Sequence, residues 1–179
     1  MNRNHLIALL AIPAMTASAF AADSVDKAPL KVGDSIPALS VKDQDGKPVD
    51  LGTAGAKGLV LVYFYPKADT GGCTAQGCSL RDGWTELAGR KVTVYGVSTD
   101  SVADQKKFKD KYHFPFSLLA DTDKAVTKAF QGGSLSVAIG YSKRQAYLFE
   151  DGKCIMTDYK GHTADQSQQV LKFLDARKK

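Results

Sequence analysis

Leu59-Val60-Leu61-Val62-Tyr63-Phe64-Tyr65 is an unbroken apolar run that stops at Pro66 and is followed, after Lys67-Ala68-Asp69-Thr70-Gly71-Gly72, by Cys73. A strand with one wet face alternates apolar and polar side chains, whereas a run without alternation is the pattern of a central strand covered on both faces. Pro66 has no N–H to give to a ladder, so it ends the strand. From Cys73 onward a helical period appears in Leu80, Trp84 and Leu87. The stretch predicts a buried parallel strand that turns into a helix whose first turn holds a cysteine. Open α/β sheets place their sites at such strand ends.

Working outward, Leu39 to Val41 and Val49 to Leu51 flank Asp45-Gly46, a turn dipeptide, and predict a hairpin near the start. Downstream come a strand Val92 to Val97, an amphipathic helix Val102 to Tyr112, a short strand Phe116 to Leu119 and a helix near Lys124 to Phe130. Ala146 to Phe149 and Cys154 to Thr157 flank Asp151-Gly152, giving a second hairpin. Thr163 with Gln166 three residues on reads as a capping box opening a last helix that buries Val170, Phe173 and Leu174. This order predicts an α/β sandwich whose first strands are parallel and last strands antiparallel. It is the thioredoxin-like arrangement with an N-terminal β-hairpin.

The chain has 179 residues, 44% of them hydrophobic and 24% charged, with only 6 Pro. That is one globular domain with a real core, and it excludes disordered, collagenous and low-complexity classes. The formal charge of +5 comes from scattered basic residues. The densest cluster, Lys106, Lys107, Lys109 and Lys111, alternates with Phe108 and Tyr112 and reads as the wet face of a helix, so no nucleic-acid partner is expected. Residues 1–21 read as an export signal: Arg3, an apolar run from Leu6 to Ala14, then Ala19-Phe20-Ala21 as a small-x-small cleavage site. The run is too short to span ~30 Å of hydrocarbon, so no membrane anchor is expected. A periplasmic location follows as the expectation, with residues 22–31 as a polar lead-in and 32–179 as the domain.

Cys73, Cys78 and Cys154 are an odd set, which leaves at least one thiol unpaired or used for chemistry. At the start of a helix, unpaired backbone N–H groups and the positive end of the helix dipole favour a thiolate at Cys73. Gly71 and Gly72 let a small substrate approach, and Thr70 supplies a hydroxyl. A structural Cys73–Cys78 disulfide is the alternative. On a regular helix the two positions lie about 140° apart and about 8 to 9 Å between Cα atoms, beyond the ~7 Å that a disulfide tolerates. Bonding therefore requires the first turns to unwind.

The segment resembles the peroxiredoxins, specifically the bacterioferritin-comigratory or Q-type subgroup. The likeness rests on Pro66, Thr70 and Cys73 in the pattern Pro-x-x-x-Thr-x-x-Cys, on Cys78 five residues later, on Arg81-Asp82, and on Arg144 seven residues ahead of Asp151-Gly152. The resemblance implies that Cys73 is the peroxidatic nucleophile and Cys78 the resolving thiol. Thr70 and Arg144 would hold the thiolate and polarise the peroxide, and Pro66 would shield the pocket. It also implies hydrogen peroxide and organic hydroperoxides as substrates, a thioredoxin-like or other dithiol as reductant, and no metal, flavin or haem. A monomer is expected, with a weak dimer as the alternative.

Three positions depart from the subgroup. Gly71 replaces Pro and should loosen the active-site loop, Gln76 replaces Glu and loses a charge, and Gly77 replaces Ala. Gly77 should weaken the helix by ~1 kcal/mol and ease unwinding, so an alanine there is expected to slow resolution. Cys154 reads as a buried inert thiol, His113 and His162 as isolated side chains, and Tyr63 and Tyr65 as sheet core. The competing function is a copper-binding thioredoxin-like chaperone, against which Arg144 stands where such a protein would carry a histidine. A thioredoxin-type oxidoreductase would need Cys-x-x-Cys, which is absent.

Overall fold

The computed structural model describes residues 28–132 and 139–177. The signal-like segment 1–21 and residues 22–27 of the lead-in lie outside the described residues. The central strand is β3 (Leu59–Phe64), buried from Val60 to Phe64. Its side chains divide by parity: Leu61 and Tyr63 enter one apolar cluster, Val60, Val62 and Phe64 the other. Burying each of these side chains contributes about 1.5–3 kcal/mol, so covering both faces of β3 is the main energetic reason for the layered architecture.

Before β3 come β1 (Ser40–Asp43), β2 (Pro48–Asp50) and a short helix α1 (Leu51–Gly55). The second arm of the expected hairpin is shorter than its sequence, because Leu51 leaves the strand to start α1. Asp50 caps that helix by accepting from the Thr53 N–H at 2.7 Å. After β3 follow α2 (Gly71–Asp82), α3 (Trp84–Gly89), β4 (Val92–Ser98), α4 (Val102–Tyr112), β5 (Ser117–Ala120) and α5 (Ala125–Gln131). The chain closes with β6 (Gln145–Glu150), β7 (Lys153–Asp158) and α6 (Gln166–Ala176). Among the described residues no helix is long and apolar enough to cross a membrane.

The seven strands lie in the order β2-β1-β5-β4-β3-β6-β7. β3, β4 and β5 are parallel, while β6 runs antiparallel to β3 and β7 antiparallel to β6. This is the thioredoxin-like α/β fold, as expected. Helices α2, α3, α4 and α6 supply Leu80, Leu87, Phe108 and Val170 to one face, and α1 and α5 supply Leu51, Val126 and Phe130 to the other. Leu30, within the stretch expected as a polar lead-in, is already buried, and its N–H donates to the Phe130 carbonyl at 2.8 Å.

Two local readings need correction. The period Cys73, Leu80, Trp84, Leu87 belongs to two helices, not one, because the chain breaks at Gly83. A Cβ there would lie 2.6 Å from Ser167 Cβ, so the missing side chain is what lets α6 close on the α2–α3 corner. The capping box does not form either. α6 starts at Gln166 behind Asp165, which makes no side-chain cap, and the Gln166 side chain turns inward, fully buried.

Candidate active site

The sheet presents its functional end where β3 stops. Tyr65 keeps one last bond, its N–H donating to Val97 O at 3.1 Å, and Pro66 turns the chain away. The loop 66–70 is then fastened from two sides. Asp100, just past β4, accepts from the Ala68 N–H at 2.7 Å. Asp69, at φ 59°, accepts from Lys111 Nζ at 2.7 Å and from the Tyr112 hydroxyl at 2.6 Å. Those donors hold the Asp69 carboxyl below its ordinary value. Gly71 was expected to leave this loop slack, yet anchorage comes from Asp69 and Asp100 and not from the residue at 71.

Thr70 is the N-cap of α2 in extended conformation and makes no side-chain cap. Its hydroxyl donates to Lys67 O at 3.0 Å and not to Cys73, which leaves its lone pairs free to accept. The first-turn N–H groups of α2 have no acceptors within the helix. Cys73, in that turn, is 1% exposed.

Arg144 reaches Cys73 through strand register. Gln145 pairs with Phe64, so the residue before β6 stands beside the end of β3. Its guanidinium donates to Cys73 Sγ at 3.4 Å, to Gly72 O at 3.1 Å and to Gln76 Oε1 at 2.8 Å. Two glycines make this possible. A Cβ on Gly72 would sit 3.0 Å from the Arg144 terminal nitrogen, and one on Gly161, at φ 75°, would sit 2.8 Å from Arg144 O and 2.9 Å from its Cβ. Gln76 is fully buried and donates in turn to Gln166 Oε1 at 2.9 Å.

Cys78 is half-buried on the same continuous helix, packed against the cluster that holds Cys73 and Tyr63. All three cysteines are free thiols. Gly77, between Cys73 and Cys78, carries the ring of Phe114 directly on its Cα side. A Cβ at 77 would lie 2.6 Å from Phe114 Cζ. Cys154 belongs to the cluster on the opposite face of the sheet. Its thiol donates to Met156 O at 3.4 Å, and burial pushes its pKa up to about 11. His113 ends α4 in the left-handed conformation, and His162 Nδ1 pairs with Asp165 at 3.1 Å. Tyr63 and Tyr65 are fully buried in the sheet core.

The structure thus brings Thr70, Cys73 and Arg144 to one strand end, with Pro66 and Cys78 adjoining in sequence. Sequence reasoning missed Asp69, Asp100, Phe114, Gly161 and Gln166. Only Gln166 carried a signal, and it pointed to helix capping.

A cysteine at a helix start, under a guanidinium and at the end of a parallel strand of a thioredoxin-like sheet, defines a thiol enzyme. The chain belongs to the AhpC/TSA family, which it matches over residues 32–157. Peroxiredoxin Bcp of Escherichia coli is 48% identical over 153 residues, spanning 82% of this chain and 96% of that protein. Among solved structures, peroxidoxin BcpB from Mycobacterium tuberculosis superposes with a TM-score of 0.73 at 30% identity, covering 82% and 97% of the two chains. A bacterioferritin comigratory protein from Xanthomonas campestris, whose structures address alkyl peroxide reduction, gives 0.72 at 27% identity over 86% and 100%. The chain is a thiol peroxidase that takes peroxide as substrate and a thioredoxin-type dithiol as reductant. The copper-chaperone alternative finds no support among these relatives. The expected periplasmic location is overturned, because the Bcp homologues are cytoplasmic enzymes. A short apolar run ending in Ala-x-Ala is a compositional signal with no link to the fold, and nothing in the domain's chemistry depended on it.

Proposed function

We propose that Cys73 is the peroxidatic nucleophile, that Cys78 resolves it within the same chain, and that Thr70, Arg144 and Pro66 form the peroxide pocket. The observation that carries this reading is the Arg144 guanidinium at 3.4 Å from Cys73 Sγ over the uncapped start of α2. The Cys73 thiolate attacks the near oxygen of ROOH; the S–O bond forms, the O–O bond breaks, and the departing RO⁻ takes a proton to leave as ROH. A planar fork of donors matches both ends of this displacement, gripping the sulfur while stabilising charge on the leaving oxygen. Thr70, with its hydrogen on Lys67 O, accepts the hydroperoxide O–H and so orients the near oxygen that the sulfur attacks. Gly72 keeps the approach narrow but open.

The sulfenic acid on Cys73 then condenses with Cys78, forming the disulfide and releasing water before a second peroxide reacts. That step needs the first turns of α2 to open, since both cysteines sit on one regular helix. An external dithiol reopens the bond by exchange, giving back two thiols and becoming a disulfide itself. Two cysteines on one helix need no second copy of the chain, which favours a monomer.

The test is substitution at each cysteine. Cys73→Ser should lose peroxide consumption entirely, because a serine hydroxyl is not nucleophilic enough here. Cys78→Ser should consume one equivalent and stall as sulfenic acid, and Cys154→Ser should turn over as the unaltered enzyme does. Turnover by Cys73→Ser above a few per cent, or recycling that stops with Cys154→Ser and survives Cys78→Ser, would overturn the assignment.

A further inference from the structure

Arg144, Gln76 and Gln166 form a chain, its two amides fully buried, with one possible direction. Arginine only donates, so the Gln76 carboxamide must present its oxygen to Arg144, as it does at 2.8 Å. The Gln76 NH2 then faces α6, where a second donor would repel it and an acceptor would hold it. Gln166 Oε1 is that acceptor at 2.9 Å. Having committed its oxygen, Gln166 leaves its own Nε2 buried without a hydrogen-bond partner. A fully buried amide that strands a donor is costly in its own right, and such a group calls for an explanation outside simple stability.

We propose that Gln166, at the start of the last helix, is a positioning residue for the peroxide reaction: it fixes the orientation of Gln76, which keeps the Arg144 guanidinium on Cys73. The inference rests on the roles proposed above for Cys73 and Arg144. Because both links are neutral amides, orientation is conveyed without any carboxylate to offset the arginine's charge. Among the described residues Arg144 makes no ion pair, and its donors go to a sulfur, a backbone carbonyl and an amide oxygen. The guanidinium therefore keeps its full charge for the thiolate and for the oxygen that leaves.

Gln166→Met keeps the length of the side chain and removes the acceptor. Rapid-mixing kinetics with hydrogen peroxide should show attack on Cys73 slowed about fivefold, the equivalent of ~1 kcal/mol for one net hydrogen bond. The pH profile of Cys73 alkylation should move to higher pH with it. In a Gln76→Met background, adding Gln166→Met should have no further effect on the rate, because the link through which it acts is gone. A role confined to α2–α6 packing would shift thermal stability and leave both the attack rate and the alkylation profile where they were. That outcome, or multiplicative slowing in the double variant, would overturn the proposal. An Arg144→Lys variant that reacts at the unaltered rate would instead remove the reading beneath it.

Discussion

Replacing Gly77 with alanine sets two well-defined effects against each other. From helix propensity alone the change adds ~1 kcal/mol to α2, which would slow its unwinding about fivefold. The structure reverses the sign. The new methyl group would stand 2.6, 3.0 and 3.2 Å from three carbons of the Phe114 ring. That ring is buried, stacked on Phe116 at 5.4 Å and set edge-on to Phe108 at 5.0 Å. Its backbone is tied as well, with the Phe114 N–H donating to Lys109 O at 3.1 Å and Lys109 Nζ to Phe114 O at 2.9 Å. With no direction in which to retreat, overpacking costs about 1–3 kcal/mol, a strain that exists only while α2 is folded against the ring. The net effect is about 1 kcal/mol against the packed helix, so opening becomes about fivefold easier.

Rapid mixing with hydrogen peroxide should accordingly show an unchanged first phase and a resolution phase about fivefold faster. Mass spectrometry of Cys73 should find less sulfinic acid at a given peroxide dose, and the thermal midpoint should fall by about 3 °C. Slower resolution together with a raised midpoint would mean that the Phe114 ring yields and propensity prevails. Resolution unchanged while the midpoint falls would show that opening of α2 does not limit disulfide formation.

Other positions make separate demands. Arg144→Lys keeps the charge but offers one ammonium where a fork serves Cys73, Gly72 and Gln76, so attack measured by stopped flow should slow on the order of tenfold; equal rates would remove Arg144 from the site. Gly161→Ala puts a methyl group into the Arg144 backbone and stem from a left-handed position, and should cut the peroxide reaction severalfold while the secondary structure seen by circular dichroism persists. Cys154 governs an alkaline limb. Its folded pKa of about 11 lies above the ordinary 9.0, so below pH 9 both states hold the proton, and between pH 9 and 11 only the unfolded chain loses it. Stability should decline there by up to about 1.4 kcal/mol per pH unit from this group. Cys154→Val should lack that contribution, and matching urea midpoints of the two proteins at pH 9 and pH 10.5 would refute it.

The legible parts of the molecule are those where local pattern and tertiary role coincide. The run Leu59 to Tyr65 announced a strand covered on both faces because burial on two sides writes itself directly into composition, and α4 was readable from its amphipathic pattern, Val102 to Tyr112. What escaped reading depends on elements distant in sequence. The period Leu80, Trp84, Leu87 runs straight through Gly83, and only the arrival of Ser167 shows why the helix must break there. Gln166 has the spacing of a capping residue, and nothing local reveals that it turns inward to Gln76. The propensity argument for Gly77→Ala leaves out the ring for the same reason: Phe114 lies outside α2, and propensity sees only one element. At the site, Cys73 was readable from the strand–helix junction and Arg144 from the family resemblance, but the fastening of the loop by Asp69 and Asp100 was not.

The pairing of β3 with β6 has a consequence for how the enzyme comes into being. On the ribosome the N-terminal part of the sheet can assemble around β3 as soon as β4 and β5 exist, yet one side of β3 stays an open edge of unpaired N–H and C=O groups among apolar side chains until β6 is made. Arg144 is synthesised 71 residues after Cys73. A nascent chain at that stage carries Cys73 without Arg144 and a sticky edge without its cover. The strand that carries Arg144 to Cys73 at its leading end is also the strand that closes the edge, so this contact and protection from misassembly arrive in the same step.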